Sequence, residues 1–181
     1  MAEFVIVDEC LVPRRLTWMD YKGPDPLGFL KDFRKNLRFV FEVSTTRCEE
    51  KKLMWDYTGD PIHFYTEWLI RKELSSFTNM RVTIRIRGHV SKAKKDGDFT
   101  MEVYGEVENK FKPNNWFMKY VWIMYNKMFY GEMRKKYAHM CRDYINSYLN
   151  WCKEKHNMKA VTTPDHMKEE FEEEVDRNFE G

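Results

Sequence analysis

From Asn114 to about His156 the chain runs without a proline, and this stretch limits the fold more than any other. An asparagine at its start can cap the first free N–H groups of a helix. Large apolar residues then recur at three- and four-residue steps: Phe117, Val121, Met124 and Met128, followed by Tyr130, Met133, Tyr137, Cys141, Tyr144, Tyr148 and Trp151. That period predicts one long helix with a buried face. The stripe drifts near Gly131, the only glycine of the run, so a bend or a close packing contact is expected there. Trp116 to Tyr130 is apolar almost all round, whereas Arg134, Lys135, Lys136, Arg142 and Asp143 mark an outer side beyond it. The first half should therefore be the more deeply covered. At 1.5 Å per residue such a helix spans roughly 60 Å and needs a sheet to lie across.

The preceding residues supply the sheet. Phe4 to Asp8 and Leu16 to Tyr21 read as extended segments, two short strands or one bent strand. Asp25 then caps a short helix whose first position is Pro26 and whose apolar face is Leu27, Leu30, Phe33 and Leu37. From Phe39 the period changes to two. Phe39, Phe41 and Val43 alternate with polar residues, Lys52 to Tyr57 gives a further strand, and Ile62 to Leu74 another. In the last two strands Arg81, Arg85, Arg87 and His89 alternate with valines and isoleucines, and Glu102, Tyr104, Glu106 and Glu108 alternate with Phe99, Met101, Val103 and Val107. A two-residue turn at Asp96-Gly97 would set Arg87 opposite Glu106 and Arg85 opposite Glu108. A turn at Ser76 to Thr78 would set Glu73 opposite Arg81 and Glu67 opposite Arg87. The prediction is an antiparallel meander with one dry and one charged side, the long helix covering the dry side.

The chain of 181 residues is read as one domain over 1–160 with an acidic tail over 161–181. Eight acidic residues from Val161 onward face only Lys168 and Arg177, so a basic body ends in an acidic segment whose composition favours a solvated end. A mean hydropathy of -0.72 and the lack of a long apolar run argue against membrane insertion, and the expected location is cytoplasmic. Cys10, Cys48, Cys141 and Cys152 form no CxxC pair or zinc spacing and are read as free thiols. No metal or cofactor is implied.

Three candidate sites emerge. The arginine row beside Lys92, Lys94 and Lys95 suggests nucleic acid, but its acidic partners cancel the attracting field, so a cross-strand charge ladder is the better reading. His63 and Glu67 share one side of a strand and form a candidate acid/base pair, although alternation places them on the charged side. The third is an excess of adaptable apolar groups on the dry side and the first half of the long helix. Trp55, Phe64, Trp68, Met101, Tyr125, Met128 and Phe129 are the expected lining of a hydrophobic cavity. The alternative is that such residues fill the core.

The order of elements resembles the helix-grip fold of the START-domain, polyketide-cyclase and pollen-allergen superfamily (SRPBCC). The resemblance rests on Pro24-Asp25-Pro26 opening the helix after the first strand, the Phe39 to Phe111 meander and the terminal helix from Trp116. It implies an α+β fold, an antiparallel β-sheet meander wrapped around a long C-terminal helix. It also implies a cavity between them for a lipid- or polyketide-like small molecule. The alternative is a protein–protein interaction or homodimerisation module with a filled core, presenting Trp122 or Trp151.

Overall fold

The computed structural model describes residues 4–12, 14–112, 116–128 and 130–161. The fold is α+β. Strands β1 (Phe4–Glu9), β2 (Leu16–Pro24), β3 (Cys48–Asp56), β4 (Ile62–Glu73), β5 (Thr78–Val90), β6 (Asp96–Phe111) and β7 (Lys159–Val161) form one open antiparallel sheet. Among the described residues three α-helices accompany it: α1 (Pro26–Phe41), α2 (Trp116–Met128) and α3 (Gly131–His156). The sheet order is β3, β4, β5, β6, β2, β7, with β1 also on β6.

Helix α1 begins as its sequence dictates. The Asp25 carboxylate accepts from the Gly28 N–H at 2.9 Å, and Pro26 takes the first helical position. Its end is a correction. The strand expected from Phe39 is the last turn of α1, because Phe41 lies four residues after Leu37 and continues the buried face of Phe29, Phe33 and Leu37. Phe39 points to solvent at 82% exposure. Glu42, with a φ of 52°, closes the helix.

The meander keeps the expected faces but not the expected registers. Arg85 lies opposite Glu102 and Glu67, and Arg81 opposite Glu106 and Arg71. The β5–β6 connection spans Ser91 to Lys95, with Ser91 N donating to Asp96 O at 2.8 Å, in place of a tight Asp96-Gly97 turn. Both shifts are an even number of residues, so every side chain remains on its predicted face.

Strand β6 organises the sheet by changing partners along its length. Its first half pairs with β2 as far as Leu16 and Tyr104, and from Glu106 onward it pairs with β1. Gly105 marks the change, its carbonyl accepting from Cys10 N at 2.9 Å. A side chain at Gly105 would collide with the Ile145 Cδ1 atom of α3, so glycine lets the helix approach the sheet here.

At this junction the thiols depart from expectation. Cys10 and Cys141 are joined by a disulfide that ties the end of β1 to α3, with Cα atoms 5.8 Å apart. Their separation of 131 residues carries no spacing signal. Cys48 and Cys152 are free and buried, as read.

The largest correction concerns the long helix. It is two helices, and α3 begins at Gly131, where the stripe drifts. The Tyr130 hydroxyl lies 2.9 Å from Thr78 Oγ1, and Arg134 Nε donates to Asp8 Oδ2 at 2.7 Å, fixing the start of α3 to the sheet. Helix α3 buries Cys141, Ile145, Tyr148, Leu149 and Cys152 against the dry face. Helix α1 covers the same face, with Phe33 contacting Trp68 and Tyr148 at ring distances of 5.7 and 6.2 Å. Together they leave α2 only the sheet end at Phe4 and Phe111 to cover, so the half expected to be deepest is mostly exposed. Strand β7 continues the order to Val161, and the acidic segment from residue 162 lies outside the described residues.

Candidate functional site

Strand β3 is the edge of the sheet and projects past α1, leaving an open groove between them. Leu27, Leu30 and Lys31 form the α1 wall, and Glu50, Leu53 and Trp55 form the β3 wall. Trp68 and Thr66 of β4 form the floor, both buried. The groove holds about 310 Å³, at the small end of the range for ligand pockets.

Each wall follows from local structure. Leu27 and Leu30 lie three apart on the first turns of α1 and are only half-buried, since the floor beneath them falls away toward the sheet edge. Leu53 and Trp55 sit two apart on β3 and pair with Thr66 and Phe64, so all four share the inner face. A register shift between Glu50 and Lys52 bends the edge strand and keeps Glu50 on that face. The Thr66 hydroxyl donates to Glu50 Oε1 at 3.1 Å, which gives a buried polar group a partner at the groove floor. Lys31 and Glu50 place opposite charges on the rim. The surface is apolar on both sides with two charged groups at its mouth, the pattern that orients an amphiphilic small molecule.

The sequence candidates separate in space. Trp55 and Trp68 line the groove, and Phe64 stands behind Trp55 with ring centres 5.4 Å apart. Met101 is fully buried in the closed core beneath the sheet centre. Tyr125 and Met128 are exposed on α2, and Phe129 lies outside the described residues. The site residues that sequence reasoning missed are the apolar Leu27, Leu30 and Leu53 and the polar Lys31, Glu50 and Thr66. The first two were visible as the apolar face of a helix, but only the position of the sheet edge shows that this face overruns its cover.

The expected location of the cavity, between the sheet and the long helix, is occupied by side chains. Phe33, Phe41, Ile84, Met101 and Tyr148 meet there with almost no exposure. Of the tyrosines along this run, whose hydroxyls argue for a cavity on sequence grounds, Tyr144 and Tyr130 find protein partners, whereas the fully buried Tyr148 hydroxyl has no hydrogen-bond partner among the described residues. Tyr144 accepts from Lys72 Nζ at 2.7 Å and donates to Glu42, and Tyr130 meets Thr78. Burial pushes the Tyr148 phenol up and the Cys152 thiol beside it up to about 12, so both stay protonated.

Comparison with protein families, curated proteins and solved structures gives no match. The groove and the outer face are therefore weighed on their own residues.

On the outer face Arg81 and Arg85 are held in a cross-strand charge ladder. Arg85 lies 3.5 Å from Glu67 and 3.6 Å from Glu102, and Arg81 lies 3.5 Å from Glu106 and pairs also with Glu108. Tyr65 and Tyr104 donate to Glu67 and Glu106, each at 2.9 Å, and burial with the neighbouring carboxylate pushes Tyr104 up to about 12. His63 is exposed on this face, with its ring 5.9 Å from His89, which in turn lies 3.0 Å from Asp98. Arg87 stands opposite Tyr65 and Thr100 rather than a carboxylate. With Trp18, Glu67, Arg85 and Glu102 these residues line a mixed polar and apolar depression of about 220 Å³, smaller than the groove. Among the described residues no cluster of three His, Cys, Asp or Glu side chains is placed to hold a metal ion.

Proposed function

We propose that the protein binds a compact hydrophobic molecule, lipid- or polyketide-like, in the groove between α1 and the β3–β4 edge, as a helix-grip-type binding module. The observation that supports this reading is the convergence of Leu27, Leu30, Leu53, Trp55 and Trp68 on one open volume while the rest of the dry face is packed. With a filled interior, the ligand must be small enough to lie in the groove, its apolar part against the two indoles and its polar end toward Lys31. The paired arginines of the outer face argue against a polyanion there.

Native mass spectrometry of the freshly purified protein, repeated after adding decanoate, tests the reading. One ligand per chain, lost on unfolding, is expected. Leu53 is exposed, so Leu53→Lys leaves the fold intact and should weaken uptake by about tenfold or more, the worth of one buried apolar side chain. Equal uptake by the variant, or none by the wild type, sinks the proposal. A second reading, a homodimerisation or protein-interaction module with a full core, is favoured by the exposure of Phe117, Val121 and Met124 on α2. A concentration-dependent mass without ligand would favour it.

A further inference from the structure

Helix α2 meets the sheet end along one strip, and its Tyr125 ring packs beside Tyr130 at 6.0 Å. Trp122 stacks on Phe111 at 5.1 Å and meets Phe4 edge-on at 6.3 Å, and the Lys119 ammonium lies 4.7 Å over the Phe4 ring. The opposite strip, at steps of four, three and four, is Phe117, Val121, Met124 and Met128, with Met124 61% and Met128 65% exposed. Tyr120 and Tyr125 flank it and are also more than half exposed. The apolar surface thus runs the length of the helix on the side turned away from the sheet end. It also continues onto the sheet end, where Phe77 of the β4–β5 turn is half-exposed and packs on Phe111 at 6.1 Å.

Charge decides between occupants. From Asn109 to Gly131 there is no acidic residue, while Lys112, Lys119 and Lys127 are present beside Lys110, which pairs with Glu108 at 2.7 Å. A second copy laid along α2 would set lysine against lysine with no carboxylate of α2 to pair them. A partner helix would cover one strip and leave the flanking tyrosines and Trp116 in water. An anionic lipid surface satisfies both conditions at once: acyl chains meet the apolar side of the helix, headgroups meet the lysines, and Trp and Tyr sit at the boundary with polar tips outward.

We propose that α2 is an interfacial helix that docks the protein on anionic membranes, lying in the plane of the surface with Phe117, Val121, Met124 and Met128 among the acyl chains. Its thirteen residues make a helix about 20 Å long, and no helix among the described residues is long and apolar enough to cross a membrane, so the helix lies on the bilayer. The groove lies at the other end of the sheet, beside the β3–β4 and β5–β6 turns, and this proposal stands independently of it.

Co-sedimentation with vesicles of phosphatidylcholine and phosphatidylglycerol in equal parts, and of phosphatidylcholine alone, tests it. The wild type should pellet with the anionic vesicles, and salt should weaken the binding. Met124→Glu, at an exposed position, should keep its circular dichroism and bind about tenfold less or weaker still. Leu53→Lys should pellet like the wild type, which separates this result from the groove. Equal pelleting of Met124→Glu, or a wild type that stays in the supernatant, overturns the proposal. If that unbound wild type doubles its mass with concentration and Met124→Glu does not, the face belongs to a second copy.

Discussion

Helices α2 and α3 come from one uninterrupted stretch of sequence, yet the more apolar of the two is the one in water. Helix α3 carries Arg134, Lys135, Lys136, Arg142, Asp143 and Glu154 and still buries Cys141, Ile145, Tyr148 and Cys152 completely. Helix α2 carries lysines as its only charged residues and leaves Trp116, Phe117, Met124 and Met128 exposed. Burial here follows position against the sheet rather than apolar content. The dry face is a finite area, α1 and α3 fill it, and Tyr130 and Arg134 pin the chain at the sheet end where that area stops. An apolar helix with only a sheet end to cover leaves a surface for something outside the fold.

The contrast can be attacked through stability. Ile145→Ala removes a fully buried side chain wedged against Gly105 and should cost about 2–5 kcal/mol in urea unfolding. A loss under about 0.5 kcal/mol would mean that α3 does not carry the core. Opening the Cys10–Cys141 bond by paired Ala substitutions frees a chain loop of more than a hundred residues and should cost about 2–4 kcal/mol. Thiol titration of the unfolded wild type should find only Cys48 and Cys152 reactive, and four reactive thiols would remove this tie between β1 and α3. Such bonds persist mainly in oxidising compartments or in intracellular proteins of hyperthermophiles. The smallest effect is expected on α2, where Met124→Ala should change stability by no more than about 0.5 kcal/mol, as for any surface substitution. A cost comparable to that of Ile145→Ala would place α2 in a core.

Much of the fold was legible because the signals were local. The Asp25-Pro26 start, the period of two through β4 to β6 and the two faces of the sheet each rest on neighbouring residues. The drift of the stripe at Gly131, by contrast, suggests a bend in one helix and is the start of a second. Register was not legible, because arginines at 81, 85 and 87 and glutamates at 102, 106 and 108 are spaced by two and four and satisfy several pairings equally. The one adopted sets Arg81 on Glu106 and Arg85 on Glu102 and leaves Arg87 opposite Thr100. Phe41 was misassigned for a related reason: a residue four after Leu37 fits a helix, and one two after Phe39 fits a strand. Of the seven expected lining residues, Trp55 and Trp68 line the groove and Phe64 stands behind Trp55, because all three share one sheet face. Met101 is closed off by α1 and α3, and Tyr125 and Met128 lie on a helix whose exposure depends on what those two helices had already covered. No local pattern carries that information.

Amide hydrogen exchange of the lipid-free monomer, read peptide by peptide across residues 116–156, tests the central claim most directly. The amides of α3 that face the sheet should exchange only with global opening, whereas those of α2 should exchange orders of magnitude faster and slow when anionic vesicles are added. Protection of α2 equal to that of α3 in the lipid-free monomer would contradict the account, because it would mean that the apolar half of the run is packed after all.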